Sequence, residues 1–284
     1  MARPASERIL ISSEFLLNLD PAEIRTLAAQ LSGHEVRIIL YLRDYPSWTV
    51  SIYNQMTKKG DNADDFDTVF ERLLANNLAD FQTQLAAWAD AFGDAAMHIR
   101  ALDRASLRDG DLIEDALSVV GLDRATVAAK GDAEESEDAR FNVSPPWPAI
   151  EMARAVAGVV QPFFAVDRGF GRRSEDFRRL IRKVIAWQAD LGGGEERAQY
   201  LTPAQFEVAM ARYRDDVAFA NGRMRGFTIP VPTATPPGER PFLPSIDHVP
   251  AAQRRGVAER IAGHDFVREL PEELRTALVK RIGG

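Results

Sequence analysis

The reading of this chain turns on residues 36–60, VRIILYLRDYPSWTVSIYNQMTKKG. Ile38, Ile39 and Leu40 form an apolar run within Val36 to Leu42, the length of a buried strand. Arg43 ends that strand. Asp44 has the side chain of a helix N-cap, and Pro46 falls in the first helical turn, where a missing N–H leaves nothing unpaired. The helix that follows is expected to turn Trp48, Ile52, Tyr53 and Met56 inward. Ser51 stands about two turns in from its start. A cation at the carboxyl end of a parallel strand and a hydroxyl on the adjacent helix can face one anion.

On the amino-terminal side, Arg8 to Ser13 (RILISS) reads as a short buried strand, and Glu14 ends it. Asp20 caps a helix, PAEIRTLAAQLSG, with Pro21 at its first position and Gly33 beyond its end. The order strand, helix, strand, helix is a parallel α/β pattern. On the carboxyl-terminal side, Asp64 to Ala75 and Asp80 to Phe92 read as helices. Ala95 to Leu102 reads as a third strand, and Asp111 to Val120 as a helix ending before Gly121.

Beyond residue 122 the composition changes. GDAEESEDA crowds five acids together, and Pro145, Pro146 and Pro148 follow, as in a loop or linker. The rest is helical by periodicity: Ala149 to Phe164, Ser174 to Leu191, a helix capped by Thr202, and two short helices near Ala251 to Ala262 and Glu272 to Ile282. Phe227 to Pro250 holds seven prolines and is expected to be extended. The expected organisation is an α/β core over 1–122, a linker over 123–148 and a helical region over 149–284.

The 284 residues suffice for a sizeable core, and 45% hydrophobic with 27% charged residues is ordinary for a soluble globular protein. A formal net charge of −7 argues against general nucleic-acid binding. With no cysteine there is neither a disulfide framework nor a Cys-ligated metal. That absence fits a cytoplasmic location. No apolar run approaches the roughly 20 residues a membrane helix needs. The amino terminus, MARPASERILISSEF, does not have the pattern of a signal peptide. The four histidines, His34, His98, His248 and His264, show no metal spacing, so no metal site is expected.

The central stretch resembles the 3′-phosphate-binding element of the PAPS-dependent sulfotransferases, whose sulfuryl donor is 3′-phosphoadenosine 5′-phosphosulfate. In that family a strand ends in Arg, a helix follows, and a Ser eight positions later joins the Arg on the 3′-phosphate. Arg43 and Ser51 have that spacing. YNQMTKKG is similar to the bacterial branch, as is LIEDALSVVGL after the last core strand. The resemblance implies an α/β fold with a parallel-sheet, sulfotransferase-type (P-loop kinase-like) core and a helical C-terminal region. It implies PAPS as co-substrate, no metal, and a hydroxyl or amine of a carbohydrate or small molecule as acceptor. Glu14 is similar in placement to the family's catalytic base, although Ser-Ser-Glu stands where cytosolic members have Lys-x-His. Ser12 and Ser13 would line the acceptor pocket. Arg140, with Asn142 and Ser144, resembles the basic segment that closes over the 3′-phosphate.

Each residue also has a purely structural reading. Arg43 would pair with Asp44 or a nearby acid, Ser51 would be a helix residue, Glu14 would cap a helix or form a salt bridge, and Arg140 would be a loop cation. The family's Gly/Ser/Thr-rich 5′-phosphosulfate loop is not found upstream of ISSE, where only MARPASE stands. The core is therefore expected to be incomplete at its N-terminus, and the chain as written to lack turnover. A non-catalytic, sulfotransferase-like binding protein is the first alternative. The second is another nucleotide-dependent transferase such as a glycosyltransferase. That class usually offers an Asp-x-Asp metal site beside a strand, whereas Asp64, Asp65 and Asp67 read as a helix start.

Overall fold

The computed structural model describes residues 9–76, 81–122, 124, 145–166, 170–191, 199–223, 229, 231, 236 and 244–284. They fall into two compact units. The first takes Met1–Leu42, Ala79–Arg124 and Arg214–Val231, and the second takes Arg43–Leu78, Ala125–Tyr213 and Pro232–Gly284.

In the first unit, helix α1 (Pro21–Gln30) opens on a full capping box. Asp20 accepts from the Ala22 and Glu23 amides, and Glu23 accepts from the Asp20 amide at 2.9 Å. Strand β1 (Ile38–Leu42) pairs in parallel with β2 (Met97–Ala101), Ile38 opposite Met97 and Tyr41 opposite Arg100. Helix α4 (Phe81–Phe92) precedes β2 and buries Phe81, Leu85, Trp88 and Ala89. It packs on α1, whose Ile24 is fully buried. Helix α5 (Leu112–Val119) is capped by Asp111, as its sequence suggests. The α/β pattern with a parallel sheet is therefore present, and among the described residues that sheet has two strands in the order β1-β2.

One expectation is overturned. Residues 9–13 form no strand. Ile9 is 83% exposed and Ile11 65%, and Glu14–Asn18 is a 3-10 helix. An apolar run earns a strand only if a sheet edge receives it. The local alternative is this short helix, in which the Leu16 amide donates to the Ser13 carbonyl and the Leu19 amide to the Leu16 carbonyl, both at 3.4 Å.

The second unit begins with α2 (Tyr45–Lys58) and α3 (Phe66–Ala75). It continues with α6 (Trp147–Val166), α7 (Phe170–Asp190) and the first part of α8 (Pro203–Arg223), whose residues from Arg214 on belong to the first unit. It closes with α9 (Ala251–Ala262), a short α10 (Asp265–Arg268) and α11 (Glu272–Gly283). Its centre is α6, where Ala149, Ile150, Met152, Ala153, Val156, Ala157 and Val160 are all completely buried. Small side chains on several sides let α2, α7 and α11 approach it. Thr202 and Gln205 form the expected cap of α8, the Gln205 amide donating to Thr202 Oγ1 at 3.2 Å. The arginines of α7 are largely engaged with acids, Arg182 with Glu175 at 2.7 Å and Arg178 with Asp61 at 3.6 Å. These are exposed pairs, each contributing about 0–1 kcal/mol.

Helix α2 ends in a Schellman turn. The Asp61 amide donates to Met56 O and the Gly60 amide to Thr57 O, both at 2.9 Å, with Gly60 at φ 78°. A Cβ on Gly60 would stand 2.8 Å from Phe177 Cε1 and 3.3 Å from Ile181 Cγ1. Gly60→Ala combines a left-handed backbone with overpacking, so it should destabilise the second unit by about 2 kcal/mol or more. Denaturant unfolding followed at α2 amides measures this, and a loss below about 0.5 kcal/mol would show that α7 gives way freely.

Candidate functional site

Arg43 follows the last residue of β1 and is exposed. Among the described residues no acid pairs with it. Asp44, the acid nearest in sequence, accepts from the Ser47 amide at 2.8 Å, so its carboxylate is engaged in capping α2. The Trp48 amide closes the first turn on Asp44 O at 2.9 Å.

The buried face of α2 differs from the one expected. Tyr45, Thr49, Tyr53 and Thr57 are buried, four residues apart, while Trp48, Ile52 and Met56 are only half-buried. Ser51 is half-buried on the opposite stripe, between exposed Ser47 and Gln55. Arg43 therefore precedes the amino-terminal cap of α2, and Ser51 lies on its less buried side. Glu14, Ser12 and Ser13 belong to the first unit. Ser12 and Ser13 are exposed, and Glu14 opens the 3-10 helix. Arg140, Asn142 and Ser144 lie outside the described residues.

Beneath α2 lies a polar cluster that sequence reasoning missed. Glu151, 1% exposed, accepts from the Tyr53 hydroxyl at 3.0 Å on Oε1. Its Oε2 accepts from Arg154 Nε at 2.9 Å and from a second guanidinium nitrogen at 2.7 Å. Tyr53 packs edge-on to Phe66 at 5.4 Å and 5.1 Å from the Tyr200 ring. The Tyr200 hydroxyl is buried with no hydrogen-bond partner among the described residues. Burial raises the Glu151 carboxyl above the usual range, although Arg154 and Tyr53 oppose it. Asp65, which caps α3, is lowered by its bonds from Thr68. The signal in the sequence is one acid in an otherwise apolar helix, with an arginine three residues on.

The first unit has its own buried ion pair. Asp115 is fully buried and accepts from Arg100 through both oxygens, from the Tyr41 hydroxyl at 2.6 Å and from the Arg108 amide at 2.9 Å. Burial alone would raise its carboxyl, but these donors hold it below the usual range. Among the described residues no group of His, Cys, Asp and Glu could hold a metal ion, and no helix is long and apolar enough to cross a membrane.

Fold and site together define an α/β protein with a small parallel sheet and a predominantly helical second unit. No family model matches the chain, and no solved structure matches it. A protein of Archaeoglobus fulgidus described as "Uncharacterized protein" is 30% identical over 115 residues, 40% of this chain. The chain covers 30% of that relative's length.

Proposed function

We propose that this chain is a sulfotransferase-like protein that binds the 3′-phosphate of PAPS through Arg43 and Ser51. The reading implies a sulfotransferase-type, P-loop kinase-like core and sulfuryl transfer to a hydroxyl or amine of a carbohydrate or small molecule. One observation carries it: among the described residues no acid pairs with Arg43, which stands exposed at the strand–helix junction just ahead of the helix whose less buried side carries Ser51. A guanidinium committed to structure would hold an acid, and Asp44, the acid beside it, is taken by the Ser47 amide. The planar fork of Arg suits phosphate oxygens, and the Ser51 hydroxyl adds a donor. Glu14 is the base this reading assigns to the acceptor hydroxyl. Arg140 is its further phosphate ligand, and Ser12 and Ser13 are its acceptor-side groups.

Calorimetry on the folded chain tests the donor half without requiring turnover. Adenosine 3′,5′-bisphosphate should bind at least tenfold more tightly than 5′-AMP, the worth of about 1.4 kcal/mol. Arg43→Ala should abolish most of that preference while leaving the melting temperature in place. Equal affinities for the two nucleotides would sink the reading.

A further inference from the structure

The buried face of α2 is chemically odd. Between Tyr45 and Tyr53 lies Thr49, and Thr57 follows, whereas the helix's bulky aliphatic side chains, Ile52 and Met56, stay half in water. Fully burying an Ile or Met side chain is among the larger apolar gains a helix face can make. Apolar burial alone would therefore turn α2 about its axis and bring Ile52 and Met56 inward.

Polar anchors oppose that turn. Thr57 Oγ1 accepts from Asn62 at 3.2 Å at the far end of the helix. At its middle, Tyr53, 1% exposed, reaches Glu151. Glu151 is equally buried and has one oxygen taken by Arg154, so its other oxygen needs a donor, and Tyr53 supplies it. Leaving that oxygen unpaired would incur the desolvation penalty of a charged acceptor. We infer that Glu151, braced by Arg154, is a positioning residue that sets the rotation of α2 through the Tyr53 hydroxyl, and thereby the direction of Ser51.

Small rotations matter at this radius. A serine hydroxyl lies about 4 Å from the helix axis, so a turn of about 30° moves it through roughly 2 Å, enough to break a hydrogen bond. Tyr53 is two residues from Ser51 and so on the opposite side of the helix, which makes the buried hydroxyl a lever for the exposed one. The consequence for phosphate binding rests on the reading of Arg43 and Ser51 given above. The rotation itself does not.

The chain has no cysteine, so single thiols report the rotation directly. Gln55 is exposed and Met56 half-buried. With Tyr53 intact, Gln55→Cys should react with a maleimide roughly tenfold faster than Met56→Cys. Adding Tyr53→Phe should let Met56 turn inward and raise the ratio severalfold further, while helical circular dichroism and a cooperative melt persist. Glu151→Gln keeps an amide oxygen for Tyr53 and should retain most of the ratio. An unchanged ratio in folded Tyr53→Phe protein overturns the inference. Should that variant not fold, Arg154→Lys replaces a two-nitrogen hold by one. The ratio should then rise about threefold, and constancy again overturns the inference. Preference for adenosine 3′,5′-bisphosphate over 5′-AMP should be lost as the labelling ratio rises in Tyr53→Phe, which a merely stabilising contact would not produce. Retention of the preference with a raised ratio overturns the link to Ser51. Absence of any preference in the unmodified chain refutes the phosphate reading, and the labelling ratio still decides the rotation.

Discussion

Asp115→Ala should unfold the first unit more readily by about 3–5 kcal/mol, the usual loss when one partner of a buried ion pair is removed. The variant strands three donors at once. Arg100 loses both of its contacts to the carboxylate, the Tyr41 hydroxyl loses a 2.6 Å acceptor, and the Arg108 amide loses a 2.9 Å one. Arg100 is 25% exposed and recovers part of its hydration, which sets the lower end of that range. Because the chain has two units, amide exchange at β1 and β2 is the appropriate readout rather than a single global transition. A loss under about 1 kcal/mol would mean that water replaces the carboxylate freely. The pH dependence has a definite sign. The Asp115 carboxyl lies lower in the fold than in the unfolded chain, so its contribution is present above the ordinary Asp range and is lost as pH falls through the folded value. The stability gap between the native chain and Asp115→Asn should therefore narrow on acidification.

Glu151→Ala should cost the second unit a similar amount, about 3–5 kcal/mol, through a different sum. Arg154 is 16% exposed and would be left largely dry without its counter-charge, while the Tyr53 hydroxyl would face a cavity beside the buried helix α6. Amide exchange in α6 and α2 measures the loss. A variant within about 1 kcal/mol of the native chain would show that the cluster is dispensable and that packing alone holds α2. Here the pH sign reverses. Burial raises the Glu151 carboxyl, so the native fold binds its proton more readily than the unfolded chain does. That contribution is complete below the ordinary Glu range and is lost as pH rises through the folded value. The gap between the native chain and Glu151→Gln should thus narrow on raising the pH. The two carboxylates, each facing an arginine and a tyrosine, are distinguished by opposite slopes.

Much of the fold was legible along the chain because its signals are local. Asp20 with Glu23, Asp44 with Pro46, and Asp111 each mark a helix start through bonds to amides within three residues. Such contacts form whatever the rest of the chain does. The carboxyl end of α2 carries its own Gly60. The parallel pairing of β1 with β2 follows from two apolar runs separated by helices. The position of Arg43 at the strand–helix junction belongs to this class, since it depends only on where β1 stops and Asp44 caps.

Other features answered to distant partners. RILISS has the composition of a strand, yet strand formation needs an edge to pair with, and Ile9–Ile11 stand exposed instead. The inward face of α2 followed neither Ile52 nor Met56. A buried acid contributed by α6, far away in sequence, claims the Tyr53 hydroxyl, and an unpaired charge costs more than a half-exposed aliphatic. The same holds for Asp115, which reads as an ordinary acid in LIEDALSV until Arg100 and Tyr41 meet it across the sheet. Capping and periodicity act within a few residues, so the starts of α1, α2 and α5, the parallel order of the two strands and the placement of Arg43 could be read along the chain. Which face of α2 is buried and which acids carry buried charge emerged from packing between distant segments, because desolvation is settled by whatever closes over a group and not by its neighbours in the chain.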